Sequence, residues 1–364
     1  MIDMRREPNQ RKLRMMMRRS KRRQKSRCAP RLPFGRVCLR RNRQARQEGV
    51  TIVELMIAMA LGLLVVLLAT VLLLSSKAGF TTQDEAARIQ DSGRYAIETI
   101  SRAVRQAAYE NWDSDEGPIL TALDAGANIA GLDANSLKES SNGLDSPVQA
   151  SINGSDVLAL RFFGAGTGSN GDGTMLNCAG FGVASPASKE GVDEERGWSI
   201  FYVAADTNGE PELRCKYRGK TAWSSDAIAR GVESFQVLYG VDTDLDGMPN
   251  QFLTASAIQS LDDALVLTGE DDAARERDRN RKTWWKKVVV VKFGLLLRGS
   301  QNSRSDTLNK QYDLFGKDYA EAHAASDRGT RLNEAKLPVA TRNRIRKMFT
   351  ITVQLRNHAA GGAA

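Results

Sequence analysis

One long apolar run dominates the pattern of hydrophobic and polar positions. Residues 1–48 are low in apolar side chains and rich in arginine, and Leu55 to Leu74 then follow without a charge or a proline. Twenty helical residues span about 30 Å, the thickness of a bilayer core. The run is also longer than the apolar part of a secretory signal, which is about 7–15 residues. We therefore predict a transmembrane helix over residues 50–74.

The helix is predicted to continue beyond the membrane. Residues 75–110 place apolar side chains three, four and seven positions apart, which marks one face of a helix. Charged side chains fill the positions between them. The pattern predicts an amphipathic continuation that ends at residues 111–118. Its apolar face consists of Ile89, Ala96, Ile97, Ile100, Val104 and Ala107.

The remaining chain, residues 111–364, has the pattern of strands and loops. Alternation and β-branched or aromatic enrichment predict six strands. Long polar stretches at 113–150, 164–196, 255–283 and 300–340 separate them and are predicted as loops. One helix followed by many strands indicates an α+β fold, with the helix packed on an antiparallel sheet. The predicted strands are Asp156–Phe163, Trp198–Ala204, Glu212–Tyr217, Val232–Tyr239, Lys286–Leu297 and Met348–Leu355.

The charge is distributed very unevenly along the chain. The formal net charge of the 364 residues is +9, but residues 1–49 hold 18 Lys and Arg against three acidic residues, an excess of 15. The chain from Val50 onward therefore carries −6. Nucleic acid is not an expected partner of that part. Positive charge beside a membrane span stays in the cytoplasm, which predicts a cytoplasmic amino terminus and a periplasmic body.

A short motif joins the basic segment to the apolar run. Residues 48–59 read EGVTIVELMIAM, with a glycine, then Val50, and a glutamate at position 54. Placing a glutamate within an apolar membrane helix costs free energy, so such a residue usually has a function. This motif resembles the prepilin cleavage and methylation motif of type IV pilins and pseudopilins. The resemblance implies cleavage of the leader 1–49 after Gly49, methylation of the new amine of Val50, and a role for Glu54 in assembly.

The body narrows the resemblance to one family. Residues 91–96, 232–242 and 349–357 look like PilW, a family of large minor pilins, with the J-type pseudopilins of type II secretion as the alternative. PilW membership implies a role in starting or capping pilus assembly. The expected partners are other minor pilins, the major pilin, the prepilin peptidase and inner-membrane lipid. The expected location is the inner membrane, with a single pass, and then the pilus.

Four cysteines divide between the leader and the body. Cys28 and Cys38 lie in the leader, so Cys178 and Cys215 form the one disulfide possible within an exported body. The alternative is two unpaired thiols.

An acidic loop is the candidate metal site. Asp242, Asp244 and Asp246 alternate ahead of a glycine, as in the first half of a calcium loop, and Asn250 is a further candidate ligand. The twelfth position is Leu253, so a complete EF-hand is excluded. The alternatives are a calcium ion as cofactor or a solvated acidic turn. A membrane-tethered binding module, tuned by calcium, is the rival function.

Little in the sequence favours catalysis. The chain has two histidines, His323 and His358, and neither stands in a triad or zinc pattern. We predict that the protein is not an enzyme. The pair Trp284-Trp285 belongs either to the core or to a contact with another minor pilin.

Overall fold

The computed structural model describes residues 49–110, 121–187, 192–301, 303, 304, 306 and 308–357. The leader up to residue 48, the predicted helix end at 111–118 and His358 lie outside the described residues. The chain divides between Val65 and Val66 into two compact units. Helix α1 (Ile52–Gln106) contributes to both, and everything that follows it belongs to the second unit.

Helix α1 ends earlier than the sequence predicts. Ala108 adopts a left-handed backbone with φ of 59°, and its N–H donates to the carbonyl oxygen of Arg161 at 3.0 Å. The backbone therefore leaves the helix to bond with a strand, and the prediction of helix up to residue 110 is wrong by four residues. The predicted apolar face is confirmed, since five of its residues are buried and Ile97 packs against them. The buried five are Ile89, Ala96, Ile100, Val104 and Ala107.

Two antiparallel sheets form the body. The first has the order β1-β2-β3-β4-β5, and the second has the order β11-β8-β6-β7. Strands β9 and β10 form a separate pair. The bounds in chain order are β1 (Ile129–Leu132), β2 (Val157–Phe162), β3 (Gly197–Ala205), β4 (Pro211–Arg218), β5 (Trp223–Arg230), β6 (Val232–Val241), β7 (Gln251–Leu253), β8 (Val288–Arg298), β9 (Gln311–Asp313), β10 (Arg331–Asn333) and β11 (Arg346–Gln354).

All six predicted strands are present, with ends that differ by at most two residues. Strand β6 is buried along its whole length, as expected of a strand enclosed on both faces. The main core combines the inner residues of β6 and β8 with the apolar face of α1 and with residues of the first sheet. The α+β prediction is therefore confirmed.

The polar stretches 255–283 and 300–340 are not simple loops, which corrects the prediction. They contain α3 (Ala255–Asp263), α4 (Asp272–Lys282), α5 (Lys317–His323) and α6 (Val339–Arg342), and α2 (Val192–Glu195) lies in another polar stretch. Helix α4 buries none of its residues. Thr254 and Asp271 cap α3 and α4 by accepting N–H groups of their first turns. Helix α3 buries only Ala255 and Ile258 in the core, and α4 has no buried stripe, so hydrophobic periodicity gave little signal for either.

Candidate functional site

The amino terminus of α1 holds the residues of the processing motif. Gly49 and Val50 are exposed and lie outside the helix, which begins at Ile52. A side chain placed at Gly49 would meet no atom within 4 Å. The fold itself therefore gives no reason for glycine at this position.

Thr51 and Glu54 form a capping box at the start of the helix. The backbone N–H of Thr51 donates to Oε2 of Glu54 at 3.0 Å, and the N–H of Glu54 donates back to Oγ1 of Thr51 at 3.3 Å. The Thr51 hydroxyl also donates to the same carboxylate oxygen, at 3.1 Å. Each side chain thus satisfies a backbone donor that the helix leaves free.

The sequence reasoning missed Thr51 as a partner of Glu54. The signal was present, because a threonine three residues before a glutamate at the start of an apolar run is the sequence signature of a capping box. Oε1 of Glu54 makes no hydrogen bond among the described residues.

The described residues leave the apolar run of α1 uncovered. Every large apolar side chain from Ile52 to Leu74 is more than half exposed. Helix α1 is long and apolar enough to cross a membrane by length and composition. In water this surface would carry a heavy hydrophobic penalty, so it requires a lipid or protein environment.

In the second unit, Cys178 and Cys215 form a disulfide with Cα atoms 5.8 Å apart. Cys215 lies within β4, and Cys178 lies in the polar stretch that precedes β3. Both residues are buried. The bond fixes this stretch to the first sheet.

The acidic loop between β6 and β7 brings together the three predicted aspartates. Carboxylate oxygens of Asp242, Asp244 and Asp246 all lie within 4.8 Å of one another. Asp242 is buried, whereas the other two are exposed. The loop is already braced internally, since Asp242 accepts N–H groups of Leu245 at 2.7 Å and Gly247 at 2.8 Å.

These bonds also set the proton affinity of Asp242. Burial alone would raise the pKa of this carboxyl, but the hydrogen bonds from Gly247 and Leu245 outweigh burial and lower the pKa. Oδ1 of Asn250, the fourth predicted ligand, accepts from the backbone and hydroxyl of Thr243 at 2.6 and 2.9 Å. Ionised oxygens at this spacing suit a hard cation. Calcium binding therefore stays a prediction.

Three comparisons with known proteins bear on the site. A prokaryotic N-terminal methylation motif matches residues 44–70, and the family Type IV Pilus-assembly protein W (PilW) matches residues 200–357. The fold resembles that of the type IV-like pilin TTHA1219 from Thermus thermophilus, with a TM-score of 0.34 and 14% identity over 75% of this chain and 98% of that one. No curated protein matches the chain.

The methylation motif at the start of an uncovered apolar helix defines the class: a membrane-anchored, single-pass protein of the type IV pilin class. The second match covers most of the body, since residues 200–357 are similar to the PilW family, and the two matches together indicate a type IV pilus minor pilin. This confirms the predicted resemblance to PilW. Membership in a family of pilus components also argues against an enzymatic role.

Proposed function

We propose that the chain is cut after Gly49, is methylated at Val50, and joins a type IV pilus through α1, where it helps to start or cap assembly. The observation that carries this proposal is the place of Glu54. It is the one charged side chain of the uncovered apolar run Ile52–Leu74, and it lies five positions after the cleavage point.

The chemistry of the cut supplies a partner for Glu54. Cleavage after Gly49 leaves Val50 with a free, positively charged amine. Moving a carboxylate and an ammonium out of water costs less free energy when the two charges form a pair than when each is alone. Within one chain, Thr51 holds Oε2 of Glu54. Oε1 remains as acceptor for the amine of Val50 in a neighbouring pilin, which would set the register between the two helices.

The proposed topology follows from the charge of the leader. The 18 basic residues of segment 1–49 would keep it in the cytoplasm, where they stand beside the inner membrane. The disulfide-bonded body then faces the periplasm, whose oxidising conditions permit such a bond. The prepilin peptidase, inner-membrane lipid, other minor pilins and the major pilin are the proposed partners.

Two substitutions separate cleavage from assembly. Glu54→Gln keeps the capping box, because glutamine also serves at that position, but removes the charge. We expect this variant to be cut to Val50 and anchored in the membrane, yet depleted from sheared pili. Gly49→Val should instead retain the leader, seen as a higher mass of the purified chain.

The control is Thr51→Ala, which removes the cap and leaves the charge. It should enter pili at close to the normal level. A mature amino terminus other than Val50 would contradict the proposed cut. Normal incorporation of Glu54→Gln would contradict the charge pairing, whereas absence of the native protein from sheared pili would favour the rival of a membrane-tethered binding module.

A further inference from the structure

The two adjacent tryptophans have different environments. Trp285 is buried and packs edge-on against Tyr239, with ring centroids 4.8 Å apart. Trp284 is half-buried and lines a pocket of about 690 Å³ beside the C-terminal end of α1. This volume is in the range of small-molecule sites. Both tryptophans therefore contact the core and line the pocket, but Trp284 keeps more of its surface exposed.

The walls of the pocket are largely apolar. Their described residues all belong to the second unit and include Leu123, Ile129, Leu265 and Leu355. Leu123 is 79% exposed, so the rim presents apolar surface to solvent. A site of this kind recognises the body of a ligand by contact area and its orientation by a few polar groups.

Four cations line the same pocket, and two of them form no ion pair with a described residue. Arg281 and Lys282 pair with Asp124 and Asp278. Lys286 donates to the carbonyl oxygen of Leu123 at 2.6 Å, and Lys287 lies 4.0 Å from the centre of the Trp284 ring. Among the described residues, no carboxylate oxygen lies within 4 Å of either amine.

The described lining residues of the pocket include four cations and one carboxylate, while Asp124 and Asp193 act on Lys286 from behind the lining. Burial, followed by the repulsion of nearby Arg196, lowers the pKa of Lys286. Glu110 is the one acidic residue among the described lining residues, and its carboxylate accepts the N–H of Thr121 at 2.9 Å. The excess is local, because the chain from Val50 onward is acidic as a whole.

We propose that this pocket binds a small aromatic carboxylate. The carboxylate would lie between the amines of Lys286 and Lys287, and the ring would pack against Trp284 and the apolar wall. Such a ligand neutralises the unpaired cations and covers the exposed apolar surface at the same time. A neutral ligand of the same shape would also cover the apolar surface, but it would not neutralise the lysines.

The test uses a matched pair of probes on the mature full-length protein. The protein is placed in phosphatidylcholine nanodiscs, and naphthalene-1-acetate and naphthalene-1-acetamide are titrated calorimetrically, with empty nanodiscs subtracted. We expect the acid to bind about tenfold more tightly than the amide, the factor typical of one charge-assisted contact. Lys286→Gln and Lys287→Gln should each remove most of that difference.

Lys317→Gln, at an exposed lysine of α5, is the control and should leave the affinity for the acid unchanged. Thermal melting of each variant checks that it folds. Equal affinity for the acid and the amide would overturn the proposal. So would an absence of binding, or a Lys317→Gln effect as large as that of the pocket variants.

Discussion

The guanidinium of Arg346 in β11 donates from Nη2 to Oε1 of Glu233 in β6 at 3.0 Å, with both side chains buried. These strands are not neighbours, because β8 lies between them. Arg298 of β8 donates to the same glutamate at 2.9 Å, so one carboxylate connects all three strands. Removing one partner of such a buried ion pair lowers stability strongly, because the other charge then stays buried without a partner.

We predict that Arg346→Met lowers the free energy of unfolding by about 3 kcal/mol, because Glu233 and Glu334 each lose a buried partner. Urea unfolding followed by circular dichroism measures the loss. Arg275→Met is the control, since that arginine pairs with Asp272 on the surface. It should cost under about 1 kcal/mol. Equal losses would show that the buried network has no special role.

Gly93 of α1 is predicted to be intolerant of a side chain. A Cβ at this position would overlap the ring of Phe349 in β11. Gly93→Ala should therefore destabilise the body by about 1–3 kcal/mol, although alanine is the better helix former. Gly79→Ala is the control, because nothing lies within 4 Å of its site. Phe349→Leu should relieve the Gly93→Ala defect, and failure to do so would contradict the steric explanation.

Asp327 is predicted to destabilise the body as the pH rises. Burial, the largest influence, and the nearby Asp133 raise the pKa of Asp327 to about 6, against the hydrogen bond from Tyr319, which lowers it. The folded chain thus holds the proton more tightly than the unfolded chain, whose pKa is about 4. The stabilisation that the folded chain gains from protonated Asp327 is complete below pH 4, and it is lost as the pH rises through 6.

Asp327→Asn should consequently stabilise the chain by about 2 kcal/mol at pH 8 and have little effect at pH 4. Melting temperatures across this range measure the change. Asp263→Asn, at an exposed position of α3, should show no such pH dependence. A gain for Asp327→Asn that is equal at both pH values would refute the proton linkage.

Calcium is predicted to stabilise the loop that carries Asp242, Asp244 and Asp246. Millimolar calcium should add about 1 kcal/mol to the stability of the native chain, as expected for a weak extracellular site. Asp244→Asn should abolish the gain, and magnesium should not reproduce it. An unchanged melting temperature of the native chain in calcium would leave the loop as a solvated acidic turn.

The disulfide between Cys178 and Cys215 closes a loop with a sequence separation of 37 residues. Replacing both cysteines by serine should cost about 2–4 kcal/mol, since the unfolded chain gains freedom. Thiol labelling before and after reduction tests whether the bond exists in the purified protein. Two reactive thiols without reduction would mean that the bond is absent.

Local patterns predicted the elements that bury a periodic face. The spacing of Ile89, Ala96 and Ile100 located the helix face, and alternation or β-branched and aromatic enrichment located six of the strands. The same sequence patterns did not reveal β1, β5, α3 or α4. Helix α3, for example, begins where the carboxylate of Asp133 accepts the N–H groups of Ala255 and Ser256, at 2.9 and 2.7 Å. Asp133 lies 122 positions before Ala255 in the chain, so a pattern of neighbouring residues around position 255 does not include it.

The sequence by itself determined the membrane-spanning helix, the processing motif 48–54 and the β-rich body, because each depends on residues that are close in the chain. Tertiary structure alone decided that Trp285 is buried while Trp284 stays half-buried in the wall of the same pocket, and that Glu233 joins Arg298 and Arg346. These relationships depend on the registers of strands far apart in sequence. Side-chain burial and pairing follow from those registers, and a local pattern does not contain them.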